Sequence, residues 1–569
     1  MNSIDWIILF GTILFIVGYG TWKTRGARNM DGYLKGDNNL KWWMIGVSIM
    51  ATQASAVTFL STPGQAIEDG MRFIQFYLGL PLAMIIIAAT MVPIYYRLKV
   101  YTAYEYLETR FDLRTRLLAA ILFLLLRGLS AGITLFAPAI VLSTILGWNI
   151  LFTTLLIGVL VIVYTVSGGT RAVSITQRQQ MTVIMGGMIL AGIIAYNLLP
   201  DSISFKDTVS IAGELGKLNI ITTDFSWSDR YNIWSGLLAS TFLFLSYFGT
   251  DQSQVARYLG GKSLTESRMG LIFNGLLKIP MQFIILFIGV LVFVFYLFNE
   301  PPVFHNQTLK EAALQTAKGD SLRLMESSYQ DIYRHKKRVV ANLVEGIQTD
   351  NKELIADARH HYQSVKTKED SIRKKVKQTI AKAIPGAKTQ DRDYIFLNFV
   401  LHHLPHGVVG LLLAVMFSAA MSSMSSELNA LASTTTIDIY KRSINATGSD
   451  NHYVMASKLF TVLWACIAMV FASLATFAEN LIQFVNIVGS LFYGTILGMF
   501  LVAFYIKRVK SAAVFYAALM AEGTVLFCYF YMGDKINFLF YNIIGCVMVV
   551  LVSLLLQMAA PHQTKEATV

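Results

Sequence analysis

The chain predicts an all-α polytopic membrane protein, and three observations carry that prediction. Of its 569 residues, 54% are hydrophobic and only 14% are charged. The charges gather between long apolar runs. Those runs are each near the roughly 20 residues a helix needs to cross a ~30 Å hydrocarbon layer. The short alternating segments of an outer-membrane barrel are not seen.

Taken in order, the apolar runs predict about thirteen helices, at 4–22, 40–62, 71–97, 117–146, 149–167, 174–199, 231–256, 270–298, 406–439, 455–478, 480–506, 510–531 and 536–558. The first is expected to stay in the membrane. Met1 to Asp5 carries no basic residue, and no small-residue cleavage site comes after the apolar run, so it is not a signal peptide. Orientation is read from the short loops, because cytoplasmic loops are enriched in Lys and Arg. Lys23, Arg25, Arg28, Lys35 and Lys41 come after the first span. On the same side come Arg97, Lys99, Arg110, Arg114 and Arg116, then Arg171 and Arg178, then Arg257, Lys262 and Arg268, then Lys441 and Arg442, then Lys507, Arg508 and Lys510. The opposite short loops hold Glu68, Asp69 and Glu479. This pattern places the N-terminus outside and the C-terminus in the cytoplasm. It also accounts for the net charge of +12 without a nucleic-acid partner.

Residues 303–392 break the pattern with a charged, Gly-poor segment on the outer side that includes Arg334, Lys336, Lys337, Arg338 and the run Arg373-Lys374-Lys375-Val376-Lys377. Apolar residues at Leu322, Met325, Tyr329, Ile332 and Tyr333 recur at helical spacing, so a helical hairpin or short bundle is expected. Its basic residues do not contradict the orientation, because long loops translocate largely regardless of charge. The segment is either a solvated insertion or a cap, lipid-binding or partner-binding element. Cys466, Cys528 and Cys546 lie inside apolar spans with no CxxC pair, which favours packing over a disulfide or zinc site.

Several function classes are disfavoured. No GxxxxGK[ST] phosphate loop, HExxH or GxSxG motif occurs, and His402, His403 and His406 sit together at a helix start. With no nucleophile–base pair or histidine metal box in the spans, an enzyme is not expected. Polar residues are instead dispersed over many spans: Thr52, Gln53, Ser55 and Thr58, then Arg127, then Asp251 and Gln252, then Lys278. The ninth span adds the run Ser418-Ala419-Ala420-Met421-Ser422-Ser423-Met424-Ser425-Ser426-Glu427. Polar groups are costly in a bilayer and usually face a cavity or ion. Ser422, Ser425 and Ser426 share a helix face at i, i+3 and i+4. Two readings stand: a close-packed small-residue interface, or oxygen ligands for a small hard cation such as sodium. The scatter of polar groups is what a central solute cavity needs. A transporter is therefore predicted ahead of a sensor or a channel, which would need a continuous polar pore.

Five stretches carry a family resemblance: Ala51-Thr52-Gln53-Ala54-Ser55-Ala56-Val57-Thr58-Phe59-Leu60, the block from Tyr101 to Phe111, Tyr164-Thr165-Val166-Ser167-Gly168-Gly169, Asp251-Gln252-Ser253-Gln254-Val255-Ala256-Arg257-Tyr258, and the serine helix ending Thr436-Ile437-Asp438-Ile439-Tyr440. Together they resemble the sodium:solute symporter family, which includes sodium-coupled sugar, iodide, multivitamin, proline and sialic-acid cotransporters. The likeness covers nearly all spans in order but not 303–392. It implies a LeuT-like core of two inverted five-helix repeats, spans two to six and seven to eleven. The first core helix would break near Ala51–Ser55, and solute and ion would be held near the midplane.

The resemblance implies a sodium site made of the carbonyls of Ala51, Ala54 and Ala419 and the hydroxyls of Ser422 and Ser423. A second site in some members uses counterparts of Ser422, Ser425 and Ser426 with an aspartate whose position here is Gln177. Glu427 stands where relatives usually have a neutral residue. Either the carboxylate has moved to Glu427 and keeps a second cation site, or that site is lost and Glu427 pairs with a nearby base. Matching positions imply a solute pocket lined by Gln53, Ser55, Thr58, Gln75, Tyr77, Arg127, Tyr247, Lys278 and Asn486. Tyr247 and Lys278 correspond to sugar-contacting positions. Arg127 lies one turn from a carboxylate-binding arginine of sialic-acid members, and a guanidinium suits a carboxylate. Sugar, sugar acid and small monocarboxylate all remain open.

The expected organisation is an N-terminal helix and loop (1–39), the first repeat (40–199), an outer loop (200–230), the first two helices of the second repeat (231–302), the insertion (303–392), the last three core helices (393–506), and two peripheral helices with a short tail (507–569). The expected setting is a lipid bilayer, here a bacterial inner membrane, with Na+ as the coupling ion and a small-molecule solute. The insertion is a candidate surface for an extracytoplasmic partner.

Overall fold

In the computed structural model, residues 1–24, 40–387, 389–474 and 481–559 are described. The basic residues Arg25, Arg28 and Lys35, the acidic Glu479 and the tail beyond 559 lie outside them. Among the described residues the chain is helical, and the one strand-like contact is an isolated bridge between Leu40 and Gly261. Among the described residues nine helices are long and apolar enough to span a membrane, and three shorter apolar helices cover Ser3–Ile16, Ile150–Val163 and Ser235–Gly249. One of the nine, Ala56–Leu98, changes direction at Gly70, where φ is +69°, and so carries the end of one expected span and all of the next. On that basis the nine long helices and the three shorter ones coincide with the thirteen apolar runs read from the sequence.

Two of the helices are interrupted. Trp42–Gln53 stops, Ala54 takes a non-helical ψ of 77°, and a second helix runs from Ala56 to Asp69. Ser240–Gly249 likewise stops before Gln252–Leu259, and Asp251 caps the second piece by accepting from the Ser253 amide at 2.9 Å and its hydroxyl at 2.7 Å. The first break lies where the resemblance places it; the second was not anticipated. Interrupted helices at matching positions of two halves mark the place where backbone carbonyls are freed in transporter cores.

Helical backbone runs from Ile150 to Asn197 across two expected spans. Gly147, just before it, and His305 line one surface hollow, while the Ser202 carbonyl, just after it, accepts from Gln348 of the insertion. Both ends therefore lie on the insertion side, so the chain crosses and returns, as two spans require. Close helix crossings rest on glycine. A Cβ at Gly289 would overlap the Pro63 carbonyl oxygen, and one at Gly270 would fall 2.6 Å from the Ile45 side chain. Cys528 and Cys546 are buried, Cys466 is exposed, and all three are free thiols.

The insertion is a helical hairpin, Gly319–Gln348 against Lys352–Ala383, preceded by Gln307–Leu314. Leu322 and Tyr329 of the first helix cluster with Val376 and Ile380 of the second, while Val340, Ala358, Tyr362 and Val365 join the main core. A buried ion cluster fastens the hairpin: Lys336 reaches Glu369 at 2.8 Å, Arg373 reaches it at 3.3 Å, and Arg373 also donates to the Tyr329 hydroxyl at 2.7 Å. Burial alone would raise the Glu369 pKa, but Lys336 and Arg373 outweigh it and hold the carboxyl down at about 2. The hairpin is tied to the bundle where Arg392 pairs with Glu68, at the end of the interrupted first helix. Asp391 adds to the tie, binding Lys377 at 2.6 Å and the His305 amide at 2.8 Å.

Candidate functional site

The break at Ala54–Ser55 frees backbone oxygen. The Ser55 amide donates to Gln53 O at 3.1 Å, not to Ala51 as an unbroken helix would require. Ala51 O instead receives the Ser423 hydroxyl at 3.4 Å from the Val408–Thr434 helix. On that helix Ala419, Ser422 and Ser423 fall at i, i+3 and i+4, on one face. Ser422 is 1% exposed, and its hydroxyl has no partner among the described residues. Ala51 and Ala54 are equally buried. Two helices thus meet through neutral oxygens, one of them an orphaned buried hydroxyl. This donor chemistry fits a hard monovalent cation.

One turn further along, the geometry differs from the expected second site. Gln177 accepts from Ser48 at 2.5 Å and donates to Thr52 and Ser426, each at 3.1 Å, while Ser426 donates to Ser422 O at 3.0 Å. The amide closes a neutral network with Ser426. Ser425 is buried, with its hydroxyl unpartnered among the described residues. Glu427 does not join them. It points around the helix into the cavity beside the helix breaks and binds Arg127 at 3.0 Å. The idea that Glu427 restores a site with Ser425 and Ser426 is therefore corrected: its partner is a base, and the helix turn between residues 426 and 427 sends the two side chains to different sides.

The cavity lies beside both helix breaks. Its space of about 90 Å³ is lined by Gln53, Ser55, Thr58, Tyr77, Arg127, Tyr247 and Asn486 from the predicted set. Thr52, Ser130, Thr134, Phe76, Phe244, Glu427, Gly489 and Tyr493 line it as well. Two predicted residues are elsewhere. Gln75 is spent on structure, donating to Tyr231 O at 2.9 Å and accepting from the Thr222 amide at 3.0 Å. It belongs to a 3-10 turn, Gly70–Tyr77, in which residues two apart point away from each other, so Tyr77 faces in and Gln75 faces out. Lys278 is fully buried behind the wall, with Nζ 6.0 Å from the Tyr77 ring centre and no hydrogen-bond partner among the described residues.

Arg127 is at the centre of the polar floor, but it is already occupied. It pairs with Asp251 through Nε at 3.0 Å and through Nη2, with Glu427 through Nη1, and with the Tyr493 hydroxyl at 2.8 Å. Tyr493 in turn donates to Asp251 at 3.0 Å, and the guanidinium lies 5.2 Å over the Tyr247 ring, whose hydroxyl accepts from Gln254 at 2.7 Å. The guanidinium that the resemblance sets near a solute carboxylate is held here by two protein carboxylates. Sequence reasoning also missed Ser130 and Thr134, although they stand at i+3 and i+7 from Arg127 on the same helical face. It missed Tyr493 too, at i+7 from Asn486.

The sodium:solute symporter family model matches residues 33–320 and 375–521, leaving only 321–374 of the insertion between the matched parts. The chain is similar to the sodium/sialic acid symporter SiaT of Proteus mirabilis, with 26% identity over 560 residues covering 96% of this chain and 93% of that one. It is similar to the human sodium/iodide cotransporter at 28% identity over 294 residues, about half of each chain (51% and 45%). Among solved structures, a substrate-bound, outward-open Na+-coupled sialic acid symporter superposes with a TM-score of 0.75 at 23% identity, covering 98% of both chains. The chain belongs to the sodium:solute symporter family. It is a multi-pass membrane transporter with the LeuT-like fold, it couples solute movement to sodium, and it is not an enzyme.

Proposed function

We propose that this symporter carries a small hydroxylated solute of the sugar or sugar-acid class into the cell. The coupling sodium would be held by the carbonyls of Ala51, Ala54 and Ala419 and the hydroxyls of Ser422 and Ser423. The observation that carries the sodium assignment is the contact between the freed Ala51 carbonyl and Ser423, beside the unpartnered Ser422 hydroxyl. For the solute, the support is the cavity wall. Amide and hydroxyl groups of Gln53, Ser55, Thr58, Ser130, Thr134 and Asn486 converge there with the aromatic faces of Phe76, Tyr77, Phe244 and Tyr247. Hydroxyl-rich rings are matched by many neutral hydrogen-bonding groups and apolar faces, and mismatched polar partners give strong discrimination.

The outer face is the insertion side, which puts the N-terminus outside and the C-terminus in the cytoplasm. Lysines and arginines in the short loops of the opposite face support this. Likeness to a bacterial sialic acid symporter supports an inner-membrane location. The hairpin at 303–392 offers an extracytoplasmic docking surface, with its solvated face made of Arg334, Lys337 and Arg338.

The test is sodium-dependent thermal stabilisation of the purified protein, screened with sugars, sialic acids and monocarboxylates, on wild type and Ser423→Ala. A sodium shift lost in the variant, with an added shift from a hydroxylated solute, supports the assignment. A wild type blind to sodium, or one shifted only by non-hydroxylated monocarboxylates, overturns it.

A further inference from the structure

The cavity floor carries one base and two acids. Arg127 is the base and Asp251 and Glu427 are the carboxyl groups, all three at most 6% exposed. Asp251 is satisfied on both oxygens, by Arg127 and Tyr493 on one and Ser253 on the other. Glu427 is not. Its Oε1 takes Arg127, while its Oε2 has no hydrogen-bond partner among the described residues. Thr134, Ser130 and Gln53 line the same cavity, and the Gln53 Oε1 is likewise buried without a partner among the described residues. A buried, uncompensated carboxylate oxygen is costly unless a counter-charge joins it.

We propose that the solute cavity itself binds a monovalent metal cation, sodium, at Glu427 Oε2 with oxygens drawn from Thr134, Ser130 and Gln53. This site is distinct from the Ser425–Ser426 face, from which Glu427 points away into the cavity, and it lies one helical turn beyond Ser423. One negative charge with neutral hydroxyl and amide oxygens is the donor set that suits a hard cation of single charge. Bound there, the cation makes the floor neutral. A solute bearing a carboxylate then meets no net repulsion, although Arg127 is already paired. The proposal rests on the symport assignment, and it deepens it by giving the solute pocket a cation of its own.

The probe is sodium alone. Equilibrium binding of radiolabelled Na+ to the purified full-length protein, without solute, counts ions per chain for wild type, Glu427→Gln, Thr134→Val and Ser423→Ala. Glu427→Gln keeps the side chain's shape and can still accept from Arg127. Thr134→Val removes one oxygen and leaves the Arg127 contacts untouched, so at least one variant reports on a folded protein. The expected result is one ion fewer per chain in Glu427→Gln, a sodium affinity at least tenfold weaker at that site in Thr134→Val, and a separate loss in Ser423→Ala. Glu427→Gln binding as many ions as wild type would overturn the proposal while leaving the symport assignment intact. Ser423→Ala binding as many as wild type would overturn the principal sodium site and not this one.

Discussion

Replacing Arg127 with Gln separates a tie that holds the floor from a hand that holds the solute. The guanidinium lies 3.0 Å from Asp251 and 3.0 Å from Glu427, with Tyr493 at 2.8 Å, all deep in the bundle. Unit charges about 4 Å apart attract by about 4 kcal/mol at an effective dielectric of about 20. Removing one member of a buried pair costs about 3–5 kcal/mol, because the partner charge is stranded. Here two carboxylates are stranded, so Arg127→Gln is expected to fall at the upper end of that range. Glu427→Gln leaves the Arg127–Asp251 pair neutral and is expected to cost about 1 kcal/mol or less. The double variant Arg127→Gln/Glu427→Gln should then be more stable than the sum of the singles, with a coupling of about 1–3 kcal/mol. Thermal melting of the detergent-purified protein, paired with size-exclusion chromatography, reads all three. An Arg127→Gln protein as stable as wild type that had lost solute affinity would refute the reasoning and return Arg127 to the solute.

The insertion should respond to acid in two windows. Burial holds His305 neutral down to about 3, whereas the unfolded residue titrates near 6.5, so the unfolded state binds the extra proton and stability falls as pH drops below 6.5. At pH 5 that amounts to about 2 kcal/mol. Hydrogen-exchange protection factors across 303–392, corrected for the intrinsic exchange rate at each pH, should therefore fall from pH 7 to 5 in wild type and much less in His305→Asn; equal slopes would contradict the assignment. Glu369, held down at about 2, contributes stability above its ordinary 4.5 and loses it as pH falls from there toward 2, so Glu369→Gln should flatten that second window when the same measurement is carried on from pH 5 to 2. Gly289→Ala should destabilise by about 1–3 kcal/mol through overpacking, since the added carbon meets Pro63 backbone and lies 2.8 Å from its Cα. Gly186→Ala, with nothing within 4 Å, should melt at or above the wild-type temperature.

The bundle was legible because hydropathy acts locally: a run long enough to cross a bilayer declares itself whatever it packs against. The helix break at Asp251 carried a local signal too, the polar quartet Asp251-Gln252-Ser253-Gln254 inside an apolar span, with Asp251 able to cap the helix that begins at Gln252. Gln75 went astray for a reason of handedness. A 3-10 turn after Gly70 fixes which of Gln75 and Tyr77 faces inward, and composition does not reveal that turn. Arg127 shows the deeper limit. Its chemistry as a carboxylate binder was read correctly, but the carboxylates that claim it lie 124 and 300 residues away in the sequence. Pairing at that separation is decided by packing and leaves no local pattern. The same holds for Glu427, whose direction of exit from the helix settles whether it serves the serine face or the cavity.

If the cavity does take a sodium at Glu427, the consequence for accumulation is large and measurable. A positive charge moving across 100 mV contributes about 2.3 kcal/mol, and each 1.36 kcal/mol is tenfold in an equilibrium ratio. One sodium fewer per cycle therefore lowers the attainable solute gradient about 50-fold from the voltage alone, before the sodium gradient is counted. In proteoliposomes clamped near −100 mV by a potassium diffusion potential, Glu427→Gln should still take up solute in a sodium-dependent way but reach a plateau lower by at least that factor. Initial rate and plateau separate the alternatives. A slow variant that climbs to the wild-type plateau has lost speed and kept its stoichiometry, which would place Glu427 in the scaffold around Arg127 and outside the coupling. A variant that stops early despite rapid initial uptake has lost a coupled charge, and with Arg127 and Asp251 left as a neutral pair, the uncompensated carboxylate at Glu427 is where that charge was held.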